Sequence, residues 1–400
     1  MLKLGQNHQN SLPKLIRKSV SFGEFLSDIA MFDVIKVDEG GQCYAVIAAR
    51  SNARWWLIPL GNSRAAVAGF GMLQPISLWA KLAKLMALII TKYAPRYSFG
   101  IGILRLSDLP HLGEAFYGRI ASMAFFTGTD GPHRKTTIQL MDNDGAILGY
   151  CKMSRKSHIR PYLRNEADML SHVANLELRS ANIPNVLEFR DDASITFLVT
   201  NSLKTEQSKI KKRLGREHLF FLHEISVKTA DIGATQVFKA LSDWTLEFQS
   251  RLSVDWVRRF QEGCAILRCQ HTSIPVSLAH GDFTPWNTYL QSKRLYVFDW
   301  EYAHYGYPQG YDHLHFILAT AGTDLAMAPK IVRYAIQHLA HTWFAGDHCM
   351  ARNSALLSIM LHAAFYFERS ADSGEVCPSF EDVDMRAALI DILLIDGENS

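Results

Sequence analysis

Hydrophobic positions follow two different rhythms along the chain. Between residues 32 and 200 they come mostly as short runs rich in β-branched and aromatic residues, broken by glycine, asparagine and aspartate. From residue 234 onward they recur at every third or fourth position. The first rhythm predicts strands and the second predicts helices with one buried face. Strands are expected at 32–37 and 42–48, joined as a hairpin by Asp38-Glu39-Gly40-Gly41, and at 54–60, where Trp55 and Trp56 suit packing better than ligand binding. Further strands are expected at 119–126, 136–141 and 146–153, and a hairpin at 185–190 and 194–200 turns at Asp191-Asp192. Helices are expected from Arg164, over 234–249 and 252–270, and then over 312–321, 328–344, 351–368 and 380–395.

One helix precedes this order. Residues 78–94 are apolar but carry Lys81, Lys84 and Lys92, so no uncharged apolar stretch of about 18 residues exists to span a bilayer. The segment reads as an amphipathic or largely buried helix ended by Pro95, with an interfacial membrane helix as the lesser alternative.

Chemistry concentrates between residues 280 and 301. His280-Gly281-Asp282 follows the apolar run Val276-Ser277-Leu278-Ala279, Asn287 lies five positions after Asp282, and Asp299 follows Leu295-Tyr296-Val297-Phe298. Phosphoryl transfer to a hydroxyl requires a carboxylate that orients the hydroxyl or accepts its proton, and oxygen ligands for magnesium. Asp282 suits the first task, and Asn287 and Asp299 suit the second.

These residues, continued by Trp300-Glu301-Tyr302-Ala303, resemble the aminoglycoside phosphotransferase and choline/ethanolamine kinase superfamily. The resemblance implies a protein-kinase-like two-lobe fold of α+β class, with a small antiparallel sheet lobe and a helical lobe. It makes Asp282 and His280 the catalytic residues, and Gly281 replaces the arginine through which protein kinases respond to a phosphorylated activation loop. Asp312, in Gly310-Tyr311-Asp312, looks like the family's anchoring aspartate. By the same resemblance, Lys152 ends the third strand where the fold carries its phosphate-binding lysine, and Glu166 on the next helix pairs with it. Lys156 and Glu177 are the rivals should the register slip. The nucleotide loop falls between 127 and 135, with Gly128, Thr129 and Gly131 near the phosphates, although it lacks the full glycine-rich spacing. Val199 to Ser202 would be the hinge that meets the adenine, so Val199 and Asn201 join the nucleotide-binding set.

Length then asks for more than a kinase-like unit of about 250 to 300 residues. The expected division is an N-terminal α/β accessory domain at 1–110, beginning with a mobile tail over 1–19, a kinase-like N-lobe at 111–203 and a helical C-lobe at 204–400. The net charge of +3 gives no support to nucleic-acid binding. It conceals a basic first segment, since residues 1–110 hold 13 Lys and Arg against 6 Asp and Glu. That asymmetry suits a solvated basic face, or a peripheral membrane or glycan-synthesis partner. The six cysteines are scattered and no secretory signal is visible, which points to a reducing, cytoplasmic setting with a peripheral place at the membrane as its variant. The histidines after residue 312, among them His313, His315 and His362, read as packing or surface residues.

The expected function is an ATP- and magnesium-dependent phosphotransferase acting on the hydroxyl of a sugar or amino alcohol; the aromatic segment Tyr302, His304, Tyr305 and Tyr307 suits such an acceptor and suits plain packing equally well. The alternative is a nucleotide-binding pseudokinase or scaffold that recruits a membrane or protein partner.

Overall fold

The computed structural model describes residues 20–48, 54–73, 78–93, 102–107, 112, 116, 118–128, 133–205, 208–227, 234–269, 274–291, 293–371, 380 and 382–398. The 1–19 tail and the loop residues Thr129 and Gly131 lie outside them. The chain divides into two compact units, one of residues 1–167 with 184–206, the other of residues 168–183 with 207–400.

The first unit is built on one eight-stranded antiparallel sheet. In chain order its elements are α1 (Val20–Ala30), β1 (Gln42–Ala48), β2 (Trp55–Pro59), α2 (Ser63–Gly69), α3 (Leu78–Tyr93), β3 (Ile103–Leu106), β4 (Ser122–Thr127), β5 (Thr136–Met141) and β6 (Ile147–Ser154). Helix α4 (Arg160–Ala174) begins here, and β8 (Val186–Asp191) and β9 (Thr196–Asn201) close the sheet. The strand order is β3-β1-β2-β4-β5-β6-β9-β8. Strands from the first 110 residues therefore continue the sheet formed by residues 122–201, and the two regions share one core.

That core explains the tandem tryptophans. Successive side chains on a strand point to opposite faces, so Trp55 enters the cluster with Phe22, Phe25, Phe125 and Phe197 on the α1 side. Trp56 enters a second cluster with Ile58, Ala66 and Phe70 beneath α2 and stacks on Phe126. Residues 32–37 depart from expectation. They do not pair with β1, which is already flanked by β2 and β3, and instead meet the edge strand β3 at one isolated bridge, Lys36 to Leu106. The β5–β6 turn closes on Asp142, whose carboxylate accepts from the backbone N–H groups of Asp144 and Ala146, with Gly145 in the left-handed region at φ 77°.

The second unit is mainly helical. It contains β7 (Ala181–Asn182), α5 (Arg216–Val227), α6 (Ala234–Phe248), α7 (Val254–Cys269), β10 (Val276–Ala279), β11 (Thr288–Gln291), β12 (Arg294–Val297) and β13 (His304–Pro308). Helices α8 (Tyr311–Ala321), α9 (Ala328–Trp343), α10 (His348–Ala371) and α11 (Val383–Glu398) complete it. The expected three-and-four spacing is what packs α6 and α7: Val237, Leu241, Trp256, Phe260, Cys264 and Leu267 share a core with α9 to α11. Arg259 ties α7 to α11 by two 2.8 Å bonds to Asp391. Two short sheets carry the chemistry-bearing loops, with β10 antiparallel to β13 and β11 antiparallel to β12.

Several histidines are enclosed in this unit. His218 accepts the Gly215 N–H at Nδ1 and sits between Phe283 and Phe316, and His313 accepts the Trp343 indole N–H. Burial pushes His218 down to about 4 and His313 down to about 3. Below pH 6.5 the unfolded chain takes up protons that these folded rings refuse, so stability falls as pH drops from 6.5 toward 4. At pH 5 each ring costs about 2 kcal/mol. Thermal unfolding followed between pH 7 and 5 should show a falling Tm, and His218→Gln should flatten that slope; an unchanged slope would refute the assignment.

Candidate functional site

In the second unit the loop after β10 is shaped by one buried carboxylate. Asp312, in the first turn of α8, accepts the backbone N–H of His280 at 2.6 Å and of Gly281 at 3.0 Å. Burial raises its carboxyl, while the His280 ring and the two N–H donors pull it back. Gly281 has φ 82°, and a Cβ there would lie 2.2 Å from the Tyr302 carbonyl oxygen. Glycine is required on both counts. His280 is fully enclosed: its Nε2 lies 3.0 Å from the Phe298 carbonyl, to which it donates, and its Nδ1 accepts the Asp282 N–H at 3.3 Å.

This bracing presents Asp282. Asn287 donates through Nδ2 to both the main-chain oxygen and the carboxylate Oδ2 of Asp282, at 2.9 and 2.8 Å. His315 Nε2 lies 3.1 Å from the other carboxylate oxygen. Both oxygens are thus held, and the Asp282 side chain stays 27% exposed. His315, expected to be a packing residue, is a partner of the loop's acid. The available signal was its spacing from Asp312: positions three apart share one helix face, so α8 offers one residue to the loop's backbone and one to its carboxylate.

Asp299 follows β12 in the left-handed region at φ 73°. Phe298 just before it donates its N–H to the Asn287 carbonyl, and Trp300 just after it is buried, with its indole N–H on the Val297 carbonyl. Asn287 and Asp299 are therefore fixed by the same short sheet. Of the aromatic residues expected near an acceptor, Tyr302 is half-buried, packed edge-on against Phe365, and its hydroxyl is raised by desolvation, with the charges of Asp282 and Asp299 among the further causes. Tyr366 on α10, absent from the sequence reading, is pushed up to about 12 by burial and then by Asp282. His304, Tyr305 and Tyr307 lie on β13, where Tyr305 meets His172 and Tyr307 stacks on Tyr311.

Beside His315 is a small void of about 10 Å³, lined by Tyr311, Ser358, His362 and Arg386 together with the apolar Leu314, Leu318 and Ile359. The Ser358 hydroxyl, both His362 nitrogens and the Nε and Nη1 of Arg386 are buried there, with no hydrogen-bond partner among the described residues. Arg386 is only 3% exposed, and Asp382 stands 3.9 Å from its Nη2.

In the first unit, Lys152 on β6 meets Glu166 on α4 through both carboxylate oxygens, at 2.5 and 2.7 Å. The pair is enclosed, which strengthens its attraction over that of a surface pair. Gly128 donates its N–H to Lys135 at the neck of the β4–β5 hairpin. Val199 is buried in β9 opposite Cys151, and Asn201 accepts the Asn185 N–H through its side chain, which anchors the β8–β9 end.

Residues 217–328 match the model of the phosphotransferase enzyme family. No curated protein matches the sequence. Among solved structures, the chain is similar to an aminoglycoside phosphotransferase from Streptomyces rimosus at 15% identity and TM-score 0.39, covering 62% of this chain and 95% of that one. A macrolide 2′-phosphotransferase from Brachybacterium faecium gives 14% identity and TM-score 0.39, covering 64% and 88%. A choline/ethanolamine kinase family protein from Mesorhizobium loti gives 14% and 0.40, covering 66% and 84%. Over residues 217–328, the segment that holds Asp282, Asn287, Asp299 and Asp312, this chain is similar to the phosphotransferase enzyme family.

Proposed function

We propose that the chain transfers the terminal phosphoryl group of ATP to a hydroxyl of a small molecule, with magnesium as its metal. The observation that carries this reading is Asp282, whose carboxylate is braced by His315 and Asn287 on a loop pinned by Asp312. A carboxylate fixed in this way orients an acceptor hydroxyl and takes its proton as the new oxygen–phosphorus bond forms. His280 is sealed from solvent and bonded at both ring nitrogens, so it serves as a positioning residue for the loop. Lys152, held by Glu166, would contact the α- and β-phosphates.

The donor set suits magnesium, a hard ion that takes oxygen ligands and keeps several waters. Asn287 spends its amide N–H groups on Asp282, which leaves the amide oxygen for a cation, and Asp299 supplies a carboxylate. Magnesium would neutralise phosphate charge; the side chains hold and aim the reactants.

For the acceptor we favour a sugar over an amino alcohol. Behind His315, which contacts Asp282, stand a buried guanidinium and the neutral hydrogen-bonding groups of Ser358 and His362, surroundings that disfavour an ammonium group and suit hydroxyls. A panel of sugars and amino alcohols assayed with ATP and magnesium tests this. Activity confined to cationic alcohols would overturn the preference, and no transfer to any member would count against the reaction.

Asp282→Asn should lower kcat/KM by about 10²- to 10⁴-fold with folding intact, as for loss of a general base. His315→Leu should lower kcat by about tenfold with little change in the nucleotide KM, and His315→Gln, which restores an N–H donor, should recover part of it. A rise in KM alone would instead mark His315 as an acceptor-binding group. Gly281→Ala should destabilise the protein by about 2 kcal/mol through left-handed strain and the collision with Tyr302, and should abolish transfer. Denaturant unfolding and the transfer assay check both effects.

A further inference from the structure

The outward face of α3 is apolar and is covered by none of the described residues. Leu78, Trp79, Leu82, Leu85, Met86 and Ile89 are all exposed, Leu78 to 71% and Trp79 to 81%. They make up six of the nineteen exposed large hydrophobics among the described residues, gathered on one sixteen-residue helix. At about 100° per residue they fall within an arc of roughly 120°. The opposite face is occupied, because Ala87 and Leu88 pack against the cluster of Trp56, Ile58 and Phe70. Lys84 is turned inward and bonds the Leu73 carbonyl at 2.6 Å. The exposed stripe is therefore surplus to the fold, and contiguous apolar patches of this kind mark interaction sites.

Charge selects the occupant. From Gly40 to Ser107 the sequence contains eight Lys and Arg and no Asp or Glu. Lys81 flanks the apolar arc and is exposed. No helix among the described residues is long and apolar enough to cross a membrane. An apolar face flanked by Lys81, in a segment whose sequence is free of acids, has the composition of a helix lying in the headgroup layer. Trp79, amphipathic and at one end of the stripe, suits that layer as well. A face-to-face pairing of two copies would instead set Lys81 against like charge with no acid on the helix to offset it.

We propose that the outward face of α3 lies flat on an anionic lipid surface, inserting Trp79, Leu82, Leu85, Met86 and Ile89 among the acyl chains while Lys81 meets the headgroups. The proposal is independent of the phosphoryl-transfer reading, and its test needs no nucleotide or acceptor.

Co-sedimentation of the full chain with vesicles of phosphatidylcholine alone, or mixed with phosphatidylserine, reads the binding. The expected result is capture by the mixed vesicles, weakened by salt, and little capture by the neutral ones. Leu82→Ser with Leu85→Ser should reduce binding by about tenfold or more, since the removed area drives insertion. Lys81→Glu should reduce it severalfold. Both variants alter exposed positions, and unchanged thermal unfolding verifies their fold. Brominated acyl chains should quench wild-type tryptophan fluorescence, and Trp79→Phe should remove that quenching while keeping most of the binding. The proposal is overturned if the wild type ignores the mixed vesicles, if the serine variant binds them equally well, or if quenching survives in Trp79→Phe. Concentration-dependent self-association lost in the serine variant, without vesicle binding, would assign the face to a second copy.

Discussion

Two backbone N–H groups pointing at the buried carboxylate of Asp312 set the shape of the loop that holds Asp282. Those amides converge only because Gly281 takes a positive φ, and Gly281 takes it only because no Cβ stands between it and Tyr302. A lone buried carboxylate would be costly, and the paired donors offset much of that cost. With the backbone fixed from α8, His280 can lock onto the Phe298 carbonyl, joining the loop after β10 to the segment that leads from β12 to Asp299. Asn287 and His315 then hold the two oxygens of Asp282 in place. Each contact depends on the previous one, so the loop behaves as a single positioned group.

The two units contribute different kinds of rigidity. In the first, a continuous sheet holds Lys152 within β6, between β5 and β9, and α4 brings up the buried Glu166, so the pair is coupled more strongly than one at the surface. In the second, α10 runs through the interior and buries Asn353, Ser354, Ser358 and His362 along with its apolar residues. Polar groups at such depth are costly unless they are satisfied. Ser354 is satisfied by the Gln309 carbonyl, whereas Ser358, His362 and part of Arg386 face the small void beside His315.

Helix α3 is an exception to the binary pattern that governs the rest. Its packed face is narrow and carried by alanine and leucine, while its larger side chains point outward. Folding alone gives no reason for that orientation, because burying those residues would have stabilised the first unit.

Much of the fold was readable in one dimension. Strands β4, β5, β6, β8 and β9 and helices α6 to α11 fall close to their expected positions, since each is specified by a local period and by turn residues such as Asp142 and Gly145. The order of the candidate site residues was legible for the same reason: Asn287 and Asp299 flank the short β11–β12 hairpin, and Asp282 lies just before it. What the sequence left open depends on contacts between distant segments. Residues 32–37 have the composition of a strand, but β1 already has partners on both edges, and they meet the edge strand β3 only at the Lys36 bridge. The first 110 residues look like an addition by composition, yet β2 pairs with β4 and draws them into the common sheet. His315 is one of sixteen histidines in the sequence and becomes special only where α8 crosses beneath the loop. Sequence by itself determined the periods, the turns and the order of the chemical groups, because those are local. Only the tertiary structure decided which strand edges were free, which histidine reached the acid and which face of α3 was left uncovered, because each of these depends on what other segments already occupy.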